Sequence, residues 1–422
     1  MMDAWLAAAI FVAAYVLIAS ERVDRTLVAL LGGLAVVSLG IIDQPEAFAA
    51  IDLNVIFLLA GMMVLAGALG RAGFFGWLAI RAAKLSRGDP FRLLLILAVI
   101  TAVLSAFLDN VTTVVLITPV ILSVSRTLGI APGPYLISEI LASNIGGTAT
   151  LIGDPPNILI GSAAGLDFIS FVANLAPVTI VVLVAAVLTL RWLFRGTLQV
   201  PDERREAILE LREADAIRDP RLLRIALLVI GITLLGFLLH GWLGLEAATI
   251  ALLGATVLLL VAGIDPHEAL REIEWSTLFF FVGLFMLVEA VVKVGIVGGV
   301  AEALARAAGG HVGVAAIALL WFSALASAVV DNIPYTATAI PVVQRLTADG
   351  LAAQPLWWAL ALGACLGGNL TIVGASANVV VANMAARAGH PIRFGEFFRY
   401  GAIVVVESMA IATLYLWVRY LT

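Results

Sequence analysis

The chain has 422 residues, of which 62% are hydrophobic and 13% are charged, and its mean hydropathy is +1.10. Soluble proteins carry roughly 45–50% apolar and about 25% charged residues, so this composition excludes a soluble fold and indicates a polytopic membrane protein. The net charge of −5 provides no basic surface for nucleic acid, and the single cysteine excludes an internal disulfide or a thiolate metal centre. The apolar N-terminus has Asp3 and no basic segment, so it is interpreted as the first span rather than as a cleaved signal.

Apolar runs of about 20 residues, the length that crosses a bilayer, predict five spans in each half of the chain. A hydrophilic stretch rich in Asp, Glu and Arg, from Arg195 to Arg221, separates the two sets. We therefore predict a first repeat over residues 1–195, a charged cytoplasmic linker over 196–221 and a second repeat over 222–422. The predicted spans are 4–19, 26–42, 53–70, 135–165 and 174–194, followed by 222–243, 246–263, 275–292, 356–386 and 400–420.

Each half also contains a pair of shorter apolar helices that are joined by a polar turn. The first pair covers residues 92–126 and the second covers 312–346, and each lies between the third and fourth span of its half. We predict that each pair is a re-entrant helical hairpin and that the span after it is an interrupted helix.

The two halves are related by an internal repeat at an offset of about 222 residues. SAFLDNVTTVVLITPV at Ser105–Val120 aligns with SAVVDNIPYTATAIPV at Ser327–Val342, and GGTATLIGDPPN at Gly146–Asn157 aligns with GGNLTIVGASAN at Gly367–Asn378. An odd number of spans per repeat inverts the second repeat relative to the first, and inverted repeats with interrupted helices are typical of secondary transporters. We predict two inverted five-span repeats with a binding site at their interface near the bilayer midplane.

The distribution of Lys and Arg predicts the orientation in the membrane. With five spans per half and the linker in the cytoplasm, all but four of the 24 Lys and Arg residues fall on the cytoplasmic side. We therefore predict a multi-pass protein of the cell inner membrane with both termini outside. The four exceptions are Lys293, Arg306, Arg345 and Arg419.

Both hairpin turns carry Asp followed by Asn, which places Asp109 and Asp331 at membrane depth. A carboxylate there is costly unless it meets a cavity, an ion or a partner, so both are candidates for proton or cation binding. An alternative is that each Asp caps the second helix of its hairpin. A Na⁺ ion is predicted to fit at Asp109, Asn110, Asp331 and Asn332, with further oxygen ligands from Thr112, Thr113, Thr336 and Thr338.

Two segments rich in Gly, Asn and Thr interrupt apolar spans, at Asn144–Asn157 and Gly367–Asn378. Non-helical backbone persists in a bilayer only where it is buried in protein or lines a cavity. Asp154 has no acidic counterpart, since Ala375 or Ser376 lies opposite, and is a candidate for an asymmetric coupling role or, alternatively, for a helix cap. The residues predicted to contact the solute here are Asn144, Gly146, Gly147, Thr148, Gly153, Asp154 and Asn157, with Gly367, Gly368, Asn369, Thr371, Gly374, Ser376 and Asn378.

No Lys or Arg is predicted in the core of this site, where the nearest are Arg126 and Arg345 at the outer ends of the hairpins. A multivalent carboxylate would then depend on helix N-termini and bound cations for its counter-charge, which favours a cation, a neutral solute or a small anion. Glu139 is interpreted as a span-end residue, with a place on a proton path as the alternative. The sequence contains no nucleophile-elbow, metalloprotease or phosphate-loop motif, so a transporter without a resident cofactor is predicted rather than an enzyme.

At these motifs the chain resembles the ion transporter superfamily, in the group of arsenite efflux permeases, NhaD-type sodium/proton antiporters and the melanosomal P protein. SALASAVVDNIPYTATAIPV and LGGNLTIVGASANVVVA are similar to the P-protein branch and its bacterial relatives. The resemblance extends over nearly the whole chain and implies two embedded hairpins, a homodimer and elevator-like movement of a transport domain. By position, Asp109–Thr113 and Asp331–Thr336 match the hairpin tips of this group.

The resemblance implies secondary active transport, with proton-coupled export of an arsenite- or antimonite-type solute as the leading interpretation. The alternatives are a sodium/proton antiporter and an anion channel or transporter of the P-protein type. Arsenite permeases carry Asn-Asp at the first tip and Asn-Asn at the second, whereas this chain carries Asp-Asn at both, which favours cation exchange. The expected partners are a small inorganic ion or solute, H⁺ or Na⁺ as the coupling ion, membrane lipid and a second copy of the chain, and a separate ATPase partner is left open.

Overall fold

The computed structural model describes residues 2–20, 22–196 and 213–422. Within these ranges the chain folds into α-helices, short 3₁₀ turns and one π-helical turn, without a β-strand. Eight helices in the described part are long and apolar enough to cross a membrane, which confirms the predicted all-α polytopic fold. Most of the predicted linker, residues 197–212, lies outside the described residues.

The two halves follow the same order of elements. Each has two opening helices, a short helix, a long helix, a connecting helix, a hairpin of two helices, an interrupted helix in two pieces and a closing helix. In the first half these are α1 (Met2–Ser20), α2 (Arg25–Ser38), α3 (Gln44–Ala49), α4 (Leu53–Ala72), α5 (Phe74–Ser86), α6 (Pro90–Leu108), α7 (Asn110–Leu128), α8 (Gly133–Gly147), α9 (Pro155–Ala164) and α10 (Phe168–Phe194). In the second half these are α11 (Pro220–Leu243), α12 (Ala247–Ala262), α13 (Pro266–Leu270), α14 (Trp275–Lys293), α15 (Ile296–Ala307), α16 (Val312–Ser327), α17 (Asn332–Ala348), α18 (Ala353–Gly367), α19 (Ser376–Arg387) and α20 (Phe394–Leu416).

Helices of the first half pack against helices of the second half in two sets of equivalent contacts. Helix α2 packs against α14 and α12 against α4, while α7 packs against α19 and α17 against α9. Each of these contacts becomes the other when the two halves are interchanged. The repeats are therefore interlocked around the hairpin ends and the helix breaks, while their predicted inversion across the membrane stays a prediction.

Small residues set the closest of these helix contacts. A side chain at Gly61 of α4 would strike Ala251 of α12, and a side chain at Gly283 of α14 would strike Ala29 of α2. The two contacts correspond under the repeat offset. Small residues at equivalent positions let the helix backbones approach closely, which is how helices associate where water provides no driving force.

Two ion pairs also occupy equivalent positions. Arg71 at the end of α4 lies 3.8 Å from Glu268 of α13, and Lys293 at the end of α14 pairs with Glu46 of α3. The hydrogen bond from the Lys293 ammonium holds the pKa of the Glu46 carboxyl below its usual range. Each long helix thus holds the short helix of the other half.

Three features differ from the sequence prediction. The helices of the first hairpin have 19 residues each, so they are not shorter than the spans. The predicted span 26–42 ends at Ser38, because the chain turns at Gly40 with a φ of 71°. The connecting helices α5 and α15 were not predicted, and each follows a glycine of positive φ, Gly73 or Gly295.

Candidate functional site

At both hairpin tips the aspartate accepts hydrogen bonds from backbone N–H groups of the following residues. Asp109 accepts hydrogen bonds from the backbone N–H groups of Val111 (3.2 Å) and Thr112 (3.0 Å). Asp331 accepts one from the N–H of Ile333 (3.0 Å). Each carboxylate therefore caps the second helix of its hairpin, as the capping alternative predicted, and still presents its remaining lone pairs to other groups.

Both aspartates hold a backbone conformation that residues with a side chain avoid. Asp109 has φ 92° and ψ 141°, and Asp331 has φ 68° and ψ 139°. This region belongs essentially to glycine and costs on the order of 1–3 kcal/mol for other residues. The exposed fractions are 4% and 9%, so the strain lies inside the protein. Strained, buried acids at equivalent positions of a repeat are typical of a functional site.

Glycines bring the interrupted helices against the hairpins. A side chain at Gly146 would strike the backbone of Ala102 in α6, and a side chain at Gly367 would strike the backbone of Ala324 in α16. Both helix breaks therefore lie directly against a hairpin helix. Across each break, the backbone approaches itself closely at Gly147 and Gly153 and at Gly368 and Gly374.

Two asparagines bind the carbonyl groups that the breaks release. Nδ2 of Asn157 donates to the carbonyl of Thr150 at 2.8 Å, and Nδ2 of Asn378 donates to the carbonyl of Thr371 at 2.9 Å. Buried carbonyls without a partner are costly, so these amides stabilise the non-helical segments. These backbone oxygens are engaged by the protein.

A buried chain of asparagine amides connects the halves. Nδ2 of Asn110 donates to Oδ1 of Asn144 at 3.2 Å. Nδ2 of Asn144 donates in turn to Oδ1 of Asn369 (2.9 Å) and of Asn378 (2.8 Å). Oδ1 of Asn110 is buried without a hydrogen-bond partner among the described residues, which leaves one acceptor oxygen at the first tip.

Asp154 is fully buried and contacts the second hairpin tip. Its oxygens Oδ1 and Oδ2 lie 3.1 and 3.0 Å from Nδ2 of Asn332, which donates to them. Asp154 lies at the N-cap position of α9, as the helix-cap alternative predicted, but its side chain makes no capping hydrogen bond to that helix. That helix begins with Pro155 and Pro156, which have no N–H to offer. The residue that precedes α19 in the second half is Ala375, so this acid is confined to one half.

The expectation that no Lys or Arg reaches the site is wrong. Nη1 of Arg25 lies 3.3 Å from Oδ2 of Asp331 and donates to the hydroxyl of Ser376, which itself donates to Asp331 at 2.7 Å. The guanidinium lies 5.2 Å from the ring centroid of Phe280. Its position in the first turn of an apolar helix, where the repeat has Ala247, was the signal that could have identified it.

Two cavities lie at equivalent places in the two halves. One, of about 460 Å³, is formed by the α1–α2 turn, the start of α14 and α19, and it reaches the second hairpin tip. The other, of about 390 Å³, is formed by the α11–α12 turn, the start of α4 and α9, and Asp109 does not line it. The polar residues of the larger cavity include Asp24, Arg25, Glu274, Asp331, Ser376 and Asn383.

All the predicted site residues are buried, apart from Thr112 and Thr338, which are half-buried. Thr148, Thr336 and Thr371 donate their hydroxyl groups to backbone carbonyls, so these hydroxyls serve the local fold. The Thr113 hydroxyl is buried and has no partner in the described ranges. The tips and breaks thus form one polar cluster, but only some of its groups are open to a ligand.

A helical membrane fold whose interrupted helices and acidic hairpin tips meet at the interface of two repeats defines a membrane transporter. The chain belongs to the citrate transporter family, whose model matches residues 15–363.

Two relatives and one solved structure place it further. It is 48% identical to an uncharacterized transporter of Mycobacterium tuberculosis over 98% of both chains. It is 38% identical to the human P protein, over 98% of this chain and 60% of the P protein, which confirms the resemblance inferred from the motifs. The crystal structure of the YdaH transporter of Alcanivorax borkumensis has a TM-score of 0.55, covers 89% of this chain and 86% of that chain, and is 15% identical. That likeness shows a shared fold.

Proposed function

We propose that this protein is a proton-coupled secondary active transporter for a small, oxygen-rich anion that binds at the interface of the two repeats. The observation that carries the proposal is the environment of Asp154. Its carboxylate is 0% exposed and accepts hydrogen bonds from the neutral amide of Asn332, with the Cys365 thiol beside it. A carboxylate at membrane depth is costly while it is ionised, so it either binds a proton or pairs with a cation.

The groups around Asp154 favour H⁺ over Na⁺. The Asn332 amide presents N–H groups to the carboxylate, whereas a hard metal cation such as Na⁺ binds to a shell of oxygen atoms. A proton needs only the carboxylate oxygen itself. We therefore assign H⁺ as the coupling ion, and a Na⁺ ion at the two tips stays the alternative.

The balance of charges links proton uptake to anion binding. Asp109, Asp154 and Asp331 are each at least nine-tenths buried, and among the described residues Arg25 forms an ion pair with one of them, Asp331. With all three acids ionised, the site repels a negative solute. Each proton that the acids take up removes one negative charge, so anion binding becomes dependent on protons.

Arg25 supports an anionic solute. A guanidinium binds carboxylates and other oxyanions through two parallel hydrogen bonds, and the cavity of about 460 Å³ beside it is in the range of small-molecule sites. Helix α19 begins at Ser376 in the same cavity, and a helix N-terminus favours negative charge. The family model is that of a citrate transporter, which agrees with an anion. A neutral arsenite- or antimonite-type hydroxide is the second candidate, since Oδ1 of Asn110 has no hydrogen-bond partner among the described residues and can accept a hydroxyl group.

We further propose elevator-like alternating access between the two cavities. The larger cavity reaches Asp331, whereas the equivalent cavity of the other half is not lined by Asp109, so the two ends of the site differ in access. If the linker is cytoplasmic, as the distribution of Lys and Arg predicts, the α1–α2 turn and the cavity beside it face the cytoplasm. The described conformation is then inward-facing.

The test uses the purified full-length chain in liposomes that contain a pH-sensitive dye. Gradients of citrate, arsenite and sodium are applied in turn, and we expect citrate-dependent proton flux. Asp154→Asn should abolish this flux, while Asp265→Asn, at an exposed cap of α13, should retain it.

Other results would assign another function. Flux with arsenite alone would establish the efflux type, and flux with sodium alone would establish a sodium/proton antiporter. Anion currents far above carrier rates, without proton flux, would establish a channel. Proton flux that is unaffected by Asp154→Asn would refute the role proposed for this acid.

A further inference from the structure

A second buried acid, Glu139, lies in the first half away from the hairpin tips. It is on α8, two turns before the break that follows Gly147, and is 1% exposed. Both carboxylate oxygens lie near a single donor, the hydroxyl of Thr118 on α7, at 3.0 and 3.1 Å. A buried ionisable group at membrane depth is costly, so its presence calls for a role.

Pro119, the residue after Thr118, leaves a backbone carbonyl available as a second hydrogen-bond acceptor for the Thr118 hydroxyl. Pro119 lies inside α7 and has no N–H, so a carbonyl in the preceding turn loses its helical donor. Threonine hydroxyls in helices bond to carbonyls three or four residues back, and Val115 is three residues back. Thr118 can therefore donate to ionised Glu139, or turn to the backbone and accept a hydrogen bond from the protonated acid. The pair accommodates both protonation states without movement of either helix.

Helix α7 carries Thr118 of this pair and begins at the first hairpin tip. Asn110 begins α7 and bonds to Asn144 of α8, about 12 Å from Thr118 along the helix axis. Thr113 lies between them on α7, with a buried hydroxyl that has no partner in the described part of the chain. The contact of α7 with α8 thus has polar groups at the tip and again at Glu139.

The second half lacks this arrangement. Pro341 aligns with Pro119, but Ile340 aligns with Thr118, and Leu360 aligns with Glu139. The same helix contact therefore packs with apolar side chains in the second half. Because packing does not require the acid, its role belongs to the first half alone.

The charged and titratable groups of the elements around α8 do not neutralise Glu139. On α8 itself the neighbour is Tyr135, whose hydroxyl donates to the carbonyl of Pro90 at 3.2 Å. None of the groups on the packed elements forms an ion pair with Glu139 within the described ranges. They are Arg92 on α6, Asp109 and Arg126 at the ends of α7, Arg191 on α10, Cys365 on α18 and Arg387 on α19.

We propose that Glu139 is a proton-binding site of the transport cycle, separate from the acids at the tips. One H⁺ binds a carboxylate oxygen, the resulting O–H donates to Oγ1 of Thr118, and the threonine hydrogen turns to the carbonyl of Val115. Release of the proton reverses these steps. This inference rests on the proposed proton coupling and assigns one of its protons to the interface of α7 and α8.

Glu407 of α20 provides a matched control. Both of its carboxylate oxygens also lie near one threonine hydroxyl, that of Thr189 on α10, at 3.1 and 3.0 Å. Glu407 is only half-buried and lies at the contact of α10 with α20, outside the interface of α7 and α8. The Glu407–Thr189 pair therefore has the same functional groups as the Glu139–Thr118 pair, but it does not lie on the helix that begins at the first hairpin tip.

The first test is infrared difference spectroscopy of the purified full-length chain between alkaline and acidic pH. We expect wild type and Glu407→Gln to share a carboxylic-acid band that Glu139→Gln loses. Thr118→Val should shift the frequency of that band, because the acid loses its hydrogen-bond partner. A band that persists unchanged in Glu139→Gln would overturn the proposal, and so would a Thr118→Val spectrum identical to that of wild type.

The second test measures proton flux in liposomes with citrate and arsenite as the probes. Glu139→Gln should lose solute-driven proton flux and retain counterflow of the solute, since exchange requires no net proton movement. Flux equal to that of wild type in Glu139→Gln would overturn the proposal. If wild type moves no protons with either probe, the proposed function fails, while the infrared titration still decides whether Glu139 binds a proton.

Discussion

Replacement of Asp109 by Gly and by Ala separates the strain at the first hairpin tip from the hydrogen bonds of the carboxylate. At φ 92° and ψ 141°, a residue with a side chain costs on the order of 1–3 kcal/mol, which glycine avoids. Loss of the cap costs about 0.5–2 kcal/mol for Ala but only a few tenths for Gly, and the entropy of Gly costs roughly 0.5–1 kcal/mol. We therefore expect Asp109→Gly to be more stable than Asp109→Ala by about 2 kcal/mol.

The assay is thermal unfolding of the purified chain, with proton flux measured in parallel. Asp89 is the control, because it caps α6 of the same hairpin, accepts from the N–H of Arg92 at 2.7 Å and has a φ of −72°. Without strain to relieve, its Gly and Ala variants should melt at nearly the same temperature. Equal differences between Gly and Ala at both positions would refute the assignment of strain. Both Asp109 variants should lose proton flux, so the glycine variant should be stable and inactive.

Three further outcomes are expected. Arg25→Gln should weaken citrate binding by about tenfold to a hundredfold, because hydrogen bonds to charged groups contribute about 1.5–3 kcal/mol. The control, Arg22→Gln in the exposed turn before it, should leave citrate binding unchanged. Calorimetric titration measures both affinities, and equal effects would remove Arg25 from the site. Gly146→Ala should lower stability by about 1–3 kcal/mol, since the added side chain strikes α6. Gly231→Ala, whose side chain meets open space, should raise stability by about 0.5–1 kcal/mol. Melting temperatures in the opposite order would contradict this packing. The lowered pKa of Glu46 means that its ion pair stabilises the fold above the ordinary glutamate pKa and ceases to do so as pH falls through the lowered value. The difference in melting temperature between wild type and Glu46→Gln should therefore vanish in acid. A difference in melting temperature that grows in acid would count against a stabilising ion pair.

Much of the fold could be predicted because this chain departs from apolar sequence only where its structure requires it. The Asp-Asn pairs lie where the second helix of each hairpin begins, and glycines such as Gly146 and Gly367 lie where two backbones come too close for a side chain. In an apolar background such residues stand out. The internal repeat then identifies the same feature twice, which separates it from chance.

The site could be predicted less completely, because its contacts join residues that are distant along the chain. Arg25 and Asp331 are 306 positions apart, and hydropathy alone assigns an arginine at the start of a span to the membrane surface. The roles of the polar groups were equally hidden. Asn157 and Asn378 were expected to face a solute, but their amides bind the backbone of the breaks, since buried carbonyls must find donors first.

The two helices that follow the breaks begin differently, and under the proposed function this difference makes anion binding unequal in the two halves. Helix α9 starts with Pro155 and Pro156, which have no amide hydrogen, whereas α19 starts with Ser376 and Ala377, whose N–H groups have no acceptor within the helix. A negative group beside the start of α19 therefore finds polarised amides, whereas one beside the start of α9 finds no N–H at its first two positions. Under the proposed function, with the two halves inverted as predicted, we expect the affinity for an anion to differ between the two membrane faces. We then expect anion uptake and release to have different rates on the two sides of the membrane, while the gradients alone set the direction of net flow.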